Sequence, residues 1–226
     1  MKNKTIIITG ANGNLGQVAL KTFLELGANV VTVSRGPCKQ EIEGRVHFVE
    51  NCDLSFYENA ERVLAQTIKT FGGPDLLLNI AGGFIWKEIQ DTSFEDIELQ
   101  FNSNFKTMYN MVNCVLPSLG KRENARIINI GAMGALKAEA GMTAYAISKS
   151  AVMRFTEALA AESTDHITVN ALLPSIIDTP QNRADMADAD HAKWVTSQEI
   201  VDQMAFLASN EASGINGALI PMAGRM

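Results

Sequence analysis

The sequence predicts an α/β protein: a single Rossmann-fold domain with a doubly wound parallel sheet of about seven strands flanked by helices. Three observations carry this. Short β-rich runs alternate with helical runs along the chain, and such alternation gives a parallel sheet covered on both faces. The strands are continuous apolar runs, as in Thr5-Ile6-Ile7-Ile8, which is how strands buried on both faces read. The chain has 226 residues, 46% hydrophobic and 19% charged, and no repeat or low-complexity linker divides it. One domain over 1–226 is expected.

The elements are placed in order. The strand at 5–8 opens the chain. Leu15, Val18, Ala19, Phe23 and Leu26 then recur at helical spacing, and Gly27 ends that helix. Strands are expected at 30–33 and 46–49, a helix at 55–71, and a fourth strand at 75–79. A long helix covers roughly 93–118, and a fifth strand 127–130. Residues 143–162 read as a helix rich in small residues. A sixth strand lies at 167–172, a last full helix at 197–208, and a closing strand at 218–220. The longest irregular stretch runs from Gln181 to Trp194. Loops of that length in a compact domain are usually functional, so a substrate lid is expected at about 181–197.

Composition excludes several functions. Lys and Arg number 19 against 25 Asp and Glu, for a net charge of −6. That argues against a nucleic-acid or anionic-membrane partner. No apolar stretch approaches the roughly 18 residues of a membrane span. Ile6-Ile7-Ile8 is too short for a signal-peptide core. The odd set Cys38, Cys52 and Cys114 lacks metal-like spacing and suits a reduced, cytoplasmic protein. His47, His166 and His191 lie far apart, so no metal site is expected.

Parallel sheets bind ligands at the carboxyl ends of their strands. The first strand runs into Thr9-Gly10-Ala11-Asn12-Gly13-Asn14-Leu15-Gly16. Glycines there allow a tight turn, close approach of backbone to a pyrophosphate, and close helix packing. The helix N-terminus beyond the turn offers free N–H groups and a positive dipole end. After the second strand, Ser34-Arg35 stands where NAD sites usually carry an acidic residue. An arginine there pairs with a 2′-phosphate, so NADP is favoured, with NAD as the alternative. Tyr145 and Lys149 stand four apart, on one face of a helix. The cation is expected to lower the phenol pKa, suiting Tyr145 to proton transfer alongside hydride transfer. Trp86 and Trp194 read either as aromatic walls of a site for a flat substrate or as packing residues.

The glycine turn, Asn79-Ile80-Ala81-Gly82 and the Tyr145/Lys149 pair occur in this order, and here the chain resembles the short-chain dehydrogenase/reductase family over nearly its whole length. The resemblance implies an NAD(P)H-dependent oxidoreductase acting on a small-molecule substrate, with Tyr145 as acid/base and Lys149 binding the cofactor ribose. Asn79, Ala81 and Gly82 would bind cofactor, and Asp53 and Leu54 would meet the adenine. Pro174, Ile177 and Thr179 would line the nicotinamide. Asn104 would hold a water in a proton relay, though Asn102 leaves the register open by a turn. The family pairs its long helices, here 93–118 and 143–162, between subunits, implying a homodimer or homotetramer.

Two departures stand out. The usual turn places the middle glycine at position 14, but Asn14 stands there and Gly13 precedes it. The family's catalytic serine would fall 13 residues before Tyr145, at Ala132. A serine-lacking branch, quinonoid dihydropteridine reductase, is similar in residues 81–84 and 131–194. A dihydropteridine-type reductase is therefore expected. A carbonyl or 3-oxoacyl reductase and a non-catalytic NADP-binding sensor remain as alternatives.

Overall fold

The computed structural model describes residues 1–38, 44–163 and 166–225. Its strands, in chain order, are β1 (Thr5–Thr9), β2 (Asn29–Val33), β3 (Val46–Val49), β4 (Leu76–Asn79), β5 (Ala125–Ile130), β6 (Ile167–Pro174), β7 (Ile177–Asp178), β8 (Val195–Thr196) and β9 (Leu219–Met222). Its helices are α1 (Asn14–Glu25), α2 (Tyr57–Phe71), α3 (Phe94–Phe101), α4 (Thr107–Leu119), α5 (Thr143–Glu162), α6 (Pro180–Asp185) and α7 (Ser197–Leu207). Seven strands form one sheet in the order β3-β2-β1-β4-β5-β6-β9, and every pair is parallel.

Alternation along each strand divides the core into two faces. Ile7, Val31, Leu77 and Ile127 pack under Val63 of α2, Met111 and Val115 of α4, and Val152 of α5. Ile6, Ile8, Leu78 and Ile128 face the other way, onto Leu15, Leu20 and Phe23 of α1 and Ile200 and Met204 of α7. Each fully buried side chain contributes about 1.5–3 kcal/mol. The strand order reverses at β1: the chain steps outward to β2 and β3, then crosses back to β4. The crevice beyond the carboxyl ends of β1 and β4 is the ligand position in such sheets.

Two expected elements differ. The long helix at 93–118 is interrupted: a π-helical turn occupies Asn102–Lys106 between α3 and α4. A π-turn inserts extra residues into the helical ladder and rotates the helix beyond it, often at functional sites. The stretch at 181–197 is not irregular. Thr179 caps α6 by accepting from Asn182 N, His191–Lys193 forms a 3-10 turn, and β8 pairs with β7. At its start, Arg183 of α6 makes a bidentate ion pair with Asp178 of β7 at 2.5 and 2.7 Å. Short polar residues, an N-cap and a β pairing satisfy that backbone locally, and local pairing of this kind leaves no periodicity to read.

Candidate active site

The glycine turn lies between β1 and α1 and is closed by backbone contacts. Gly10 N donates to Val33 O at 3.0 Å, and Gly13 N to Gly10 O at 3.0 Å. A Cβ on Gly16 would stand 2.3 Å from Gly10 O, and one on Gly10 would stand 2.8 Å from Ala81 Cα. Gly10 also has φ +69°, a region that side chains disfavour. Thr9 fastens the loop after β4 to this turn: its Oγ1 accepts from Ile80 N and Ala81 N, both at 3.1 Å. Gly13 caps α1 without any side-chain bond, and no acidic side chain stands in the first turn. Gly13 and Asn14 are exposed, whereas Leu15 turns its side chain into the core. A glycine cradle below an uncapped, positively polarised helix end fits a pyrophosphate. The unusual position of Gly13 leaves that geometry intact.

At the end of β2, Ser34 Oγ donates to Gly36 O at 2.7 Å, and Asn12 Nδ2 to Pro37 O at 2.8 Å. These bonds hold the turn that carries Arg35, an exposed side chain. Asp53 Oδ1 accepts from Ser55 N at 2.9 Å, and buried Leu54 offers its carbonyl to Asn110. Asn79 is buried; its amide donates to Asn129 Oδ1 at 2.8 Å, and its own Oδ1 has no partner among the described residues. Pro174 ends β6. Ile177 lies in β7 and Thr179 at the start of α6, both half-buried.

Asn104 lies in the π-turn with 2% exposure, while Asn102 is exposed. Of the two asparagines left open by sequence, Asn104 is the one turned inward. Its Oδ1 accepts from Gly83 N at 2.8 Å, and its Nδ2 donates to Gly83 O at 3.0 Å and Ser148 Oγ at 2.9 Å. Ser148 Oγ donates in turn to Tyr145 O at 2.7 Å. A Cβ on Gly82 would lie 2.4 Å from Asn104 Oδ1 and 3.4 Å from Lys149 Nζ. Asn104, Gly82 and Lys149 therefore converge. Sequence reasoning misses Thr9, Ser148 and buried Gln100, which also accepts from Asn104. Of these, Thr9 alone carries a positional signal, directly before the first glycine.

Tyr145 and Lys149 lie on α5, with Lys149 buried and Tyr145 half-buried. Phe84 packs edge-on against the Tyr145 ring at 4.9 Å. Burial pushes the Tyr145 phenol up to about 12 and the Lys149 ammonium down to about 8. This corrects the expectation that the lysine lowers the phenol. Desolvation disfavours both charged forms, and Lys149 Nζ is committed to Ile130 O at 2.7 Å. Ala132 lies after β5 with 4% exposure, and its methyl can donate no hydrogen bond. Trp86 is half exposed; its Nε1 donates to Ala140 O, and its ring covers Gly141. Trp194, one of the two candidate walls, is 3% exposed and is a packing residue beside His191. Among the described residues no group of His, Cys, Asp and Glu could hold a metal.

Residues 4–190 match the family described as short chain dehydrogenase. The chain belongs to the short-chain dehydrogenase family. As a member it is an NAD(P)-dependent oxidoreductase acting on a small molecule, and none of its described helices is long and apolar enough to cross a membrane. This short-chain dehydrogenase is 30% identical to Oxidoreductase UcpA of Salmonella typhimurium, over 96% of this chain and 92% of that one. It is 29% identical to the 3-oxoacyl-[acyl-carrier-protein] reductase FabG of Pseudomonas aeruginosa, over 100% and 98%. Among solved structures, a glucose/ribitol dehydrogenase-type member from Brucella melitensis superimposes with a TM-score of 0.90 at 26% identity, covering 99% of this chain and 96% of that one. A Burkholderia cenocepacia short chain dehydrogenase in complex with NADP gives 0.89 at 26%, covering 99% and 97%.

Proposed function

We propose that this short-chain dehydrogenase is an NADP-dependent reductase of a planar, conjugated C=N substrate of the dihydropteridine type. The observation that carries the reading is Ala132 where a hydroxyl would polarise a substrate carbonyl. Losing one such donor raises the barrier to carbonyl reduction by roughly 3 kcal/mol. A conjugated C=N system accepts a hydride without that donor when an acid stands beside it.

When bound, the nicotinamide supplies the hydride. The residues of this chain do the rest. Gly10, Asn12, Gly13, Asn14, Leu15 and Gly16 hold the pyrophosphate, chiefly by backbone. Ser34 and Arg35 receive the 2′-phosphate, and Asp53 and Leu54 receive the adenine. Asn79, Ala81 and Gly82 form the floor, and Pro174, Ile177 and Thr179 flank the nicotinamide. Tyr145, protonated throughout the neutral range with its pKa at about 12, gives its phenolic proton to the substrate nitrogen. Lys149 binds the ribose, and Asn104 orders the relay that returns a proton. Phe84 and Trp86 offer aromatic surface to a flat ring. The segment 181–197 acts as the lid. The exposed aromatic face of Phe101 and Tyr109 meets a second copy in a homodimer or homotetramer. The enzyme works in a reduced, cytoplasmic compartment.

One observation favours a second reading, 3-oxoacyl or other carbonyl reduction: the similarity to reductases of that substrate over 98% of their length. The test is steady-state oxidation of NADPH and, in parallel, NADH, with a quinonoid dihydropterin as acceptor and a 3-oxoacyl thioester as rival. Turnover with the pterin, faster with NADPH, is expected. Turnover with the thioester alone would establish the second reading. No turnover on either, with cofactor bound, would reject the pterin reading and move the test to a panel of other carbonyls, with the sensor left only if that panel also failed.

A further inference from the structure

An open cleft of about 290 Å³ lies away from the reaction, at the amino ends of β1, β4 and β5. Arg126 forms part of its wall. This arginine stands on a central strand opposite Leu76 and is 3% exposed. A guanidinium has five N–H donors and cannot shed its charge. The bonds it makes among the described residues go to neutral carbonyls: Ala125 O at 3.0 Å and Ser209 O at 3.4 Å. Arg126 Nε has no partner among those residues. No ion pair joins Arg126 to a carboxylate among them either. Asp75, a carboxylate in the same cleft, is already engaged by Thr5 N at 2.8 Å and Lys4 Nζ at 3.5 Å.

A buried cation without a counter-ion is costly. Three cationic side chains, Lys2, Lys4 and Arg126, line the cleft against two carboxylates, Asp75 and Glu211, on a chain whose net charge is −6. Leu76 and Ala208 supply apolar wall. We infer that this cleft is a binding site for a small organic oxyanion, a carboxylate or phosphate on a short apolar body, whose charge answers Arg126. The guanidinium's planar fork suits an oxyanion. The six residues of β5 span roughly 20 Å, so the ligand would sit at the far end of the strand that leads to Ala132. The inference is independent of the hydride-transfer reading.

The test is calorimetric titration of the full chain, in excess NADPH, with hexanoate and separately with inorganic phosphate. Arg126→Met keeps the volume and removes the charge. Lys2→Glu reverses an exposed rim charge and carries the test should the first variant fail to fold. Saturable one-to-one binding is expected. Loss of a charge-assisted bond weakens it about tenfold to a hundredfold in Arg126→Met, and Lys2→Glu weakens it by a smaller factor. Binding of hexanoate but not phosphate would assign an organic acid, and binding of both with the same losses would assign the oxyanion head alone. Binding that neither variant changes, or no saturable binding of either anion, would overturn the site and leave Arg126 to water.

Discussion

Around β1 and α1 the site is made of backbone, whereas around α5 it is made of buried side chains. In the first region Gly10, Gly13 and Gly16 leave room, and their turn is closed by main-chain bonds to Val33 O and Gly10 O. In the second, Asn104, Ser148 and Lys149 are buried beside half-buried Tyr145, and Asn104, Ser148 and Tyr145 are linked through the Asn104 amide and the Ser148 hydroxyl. Space is what the cradle supplies, and it fails when a methyl fills it. Protonation state is what the α5 region supplies, and it fails when a donor is removed. The two regions therefore answer to different perturbations.

Tyr145→Phe gives the largest expected effect. Removing a general acid costs about 10²–10⁴ in turnover, while cofactor affinity should stay near wild type because the substitution leaves the glycine turn untouched. Steady-state kinetics beside a fluorescence titration of NADPH checks this, and equal losses of both would erase the division. Gly16→Ala reverses the pattern. Its Cβ would meet Gly10 O at 2.3 Å, so overpacking costs about 1–3 kcal/mol of stability and cofactor binding falls with it. Urea unfolding and the same titration read both.

Lys149 sharpens the comparison through pH. Its folded pKa, about 8, lies below the ordinary 10.5. Between those values the unfolded chain binds the extra proton, so stability rises with pH across this window. The difference between wild type and Lys149→Met should therefore grow in favour of wild type from pH 8 to 10, by up to about 3 kcal/mol. Urea midpoints at several pH values measure it. A flat difference would mean the ammonium is not desolvated. The smallest effect is expected at the exposed rim of the cradle: Arg35→Ala should weaken NADPH binding roughly tenfold and leave NADH alone.

The same contrast explains what can be read from the sequence. The cradle is legible because glycine spacing after an apolar strand encodes its shape directly. The sheet is legible because runs such as Ile6-Ile7-Ile8 are buried on both faces. The α5 region is legible by residue type only. Sequence shows Tyr145 beside Lys149, but burial sets the direction of the phenol shift, and burial is a tertiary property. The π-turn that turns Asn104 inward and Asn102 outward breaks the 3.6-residue period, so no periodic reading can choose between them. Trp194 reads as a wall or a core residue until the fold shows it 3% exposed, in the interior.

The most direct measurement compares wild type with Ala132→Ser on two acceptors, a quinonoid dihydropterin and a 3-oxoacyl thioester. The account predicts that wild type reduces the pterin and barely reduces the thioester. The added hydroxyl should raise kcat/KM on the thioester by about 10²–10³ and leave the pterin nearly unchanged. Fast reduction of the thioester by wild type, unaltered by Ala132→Ser, would contradict it.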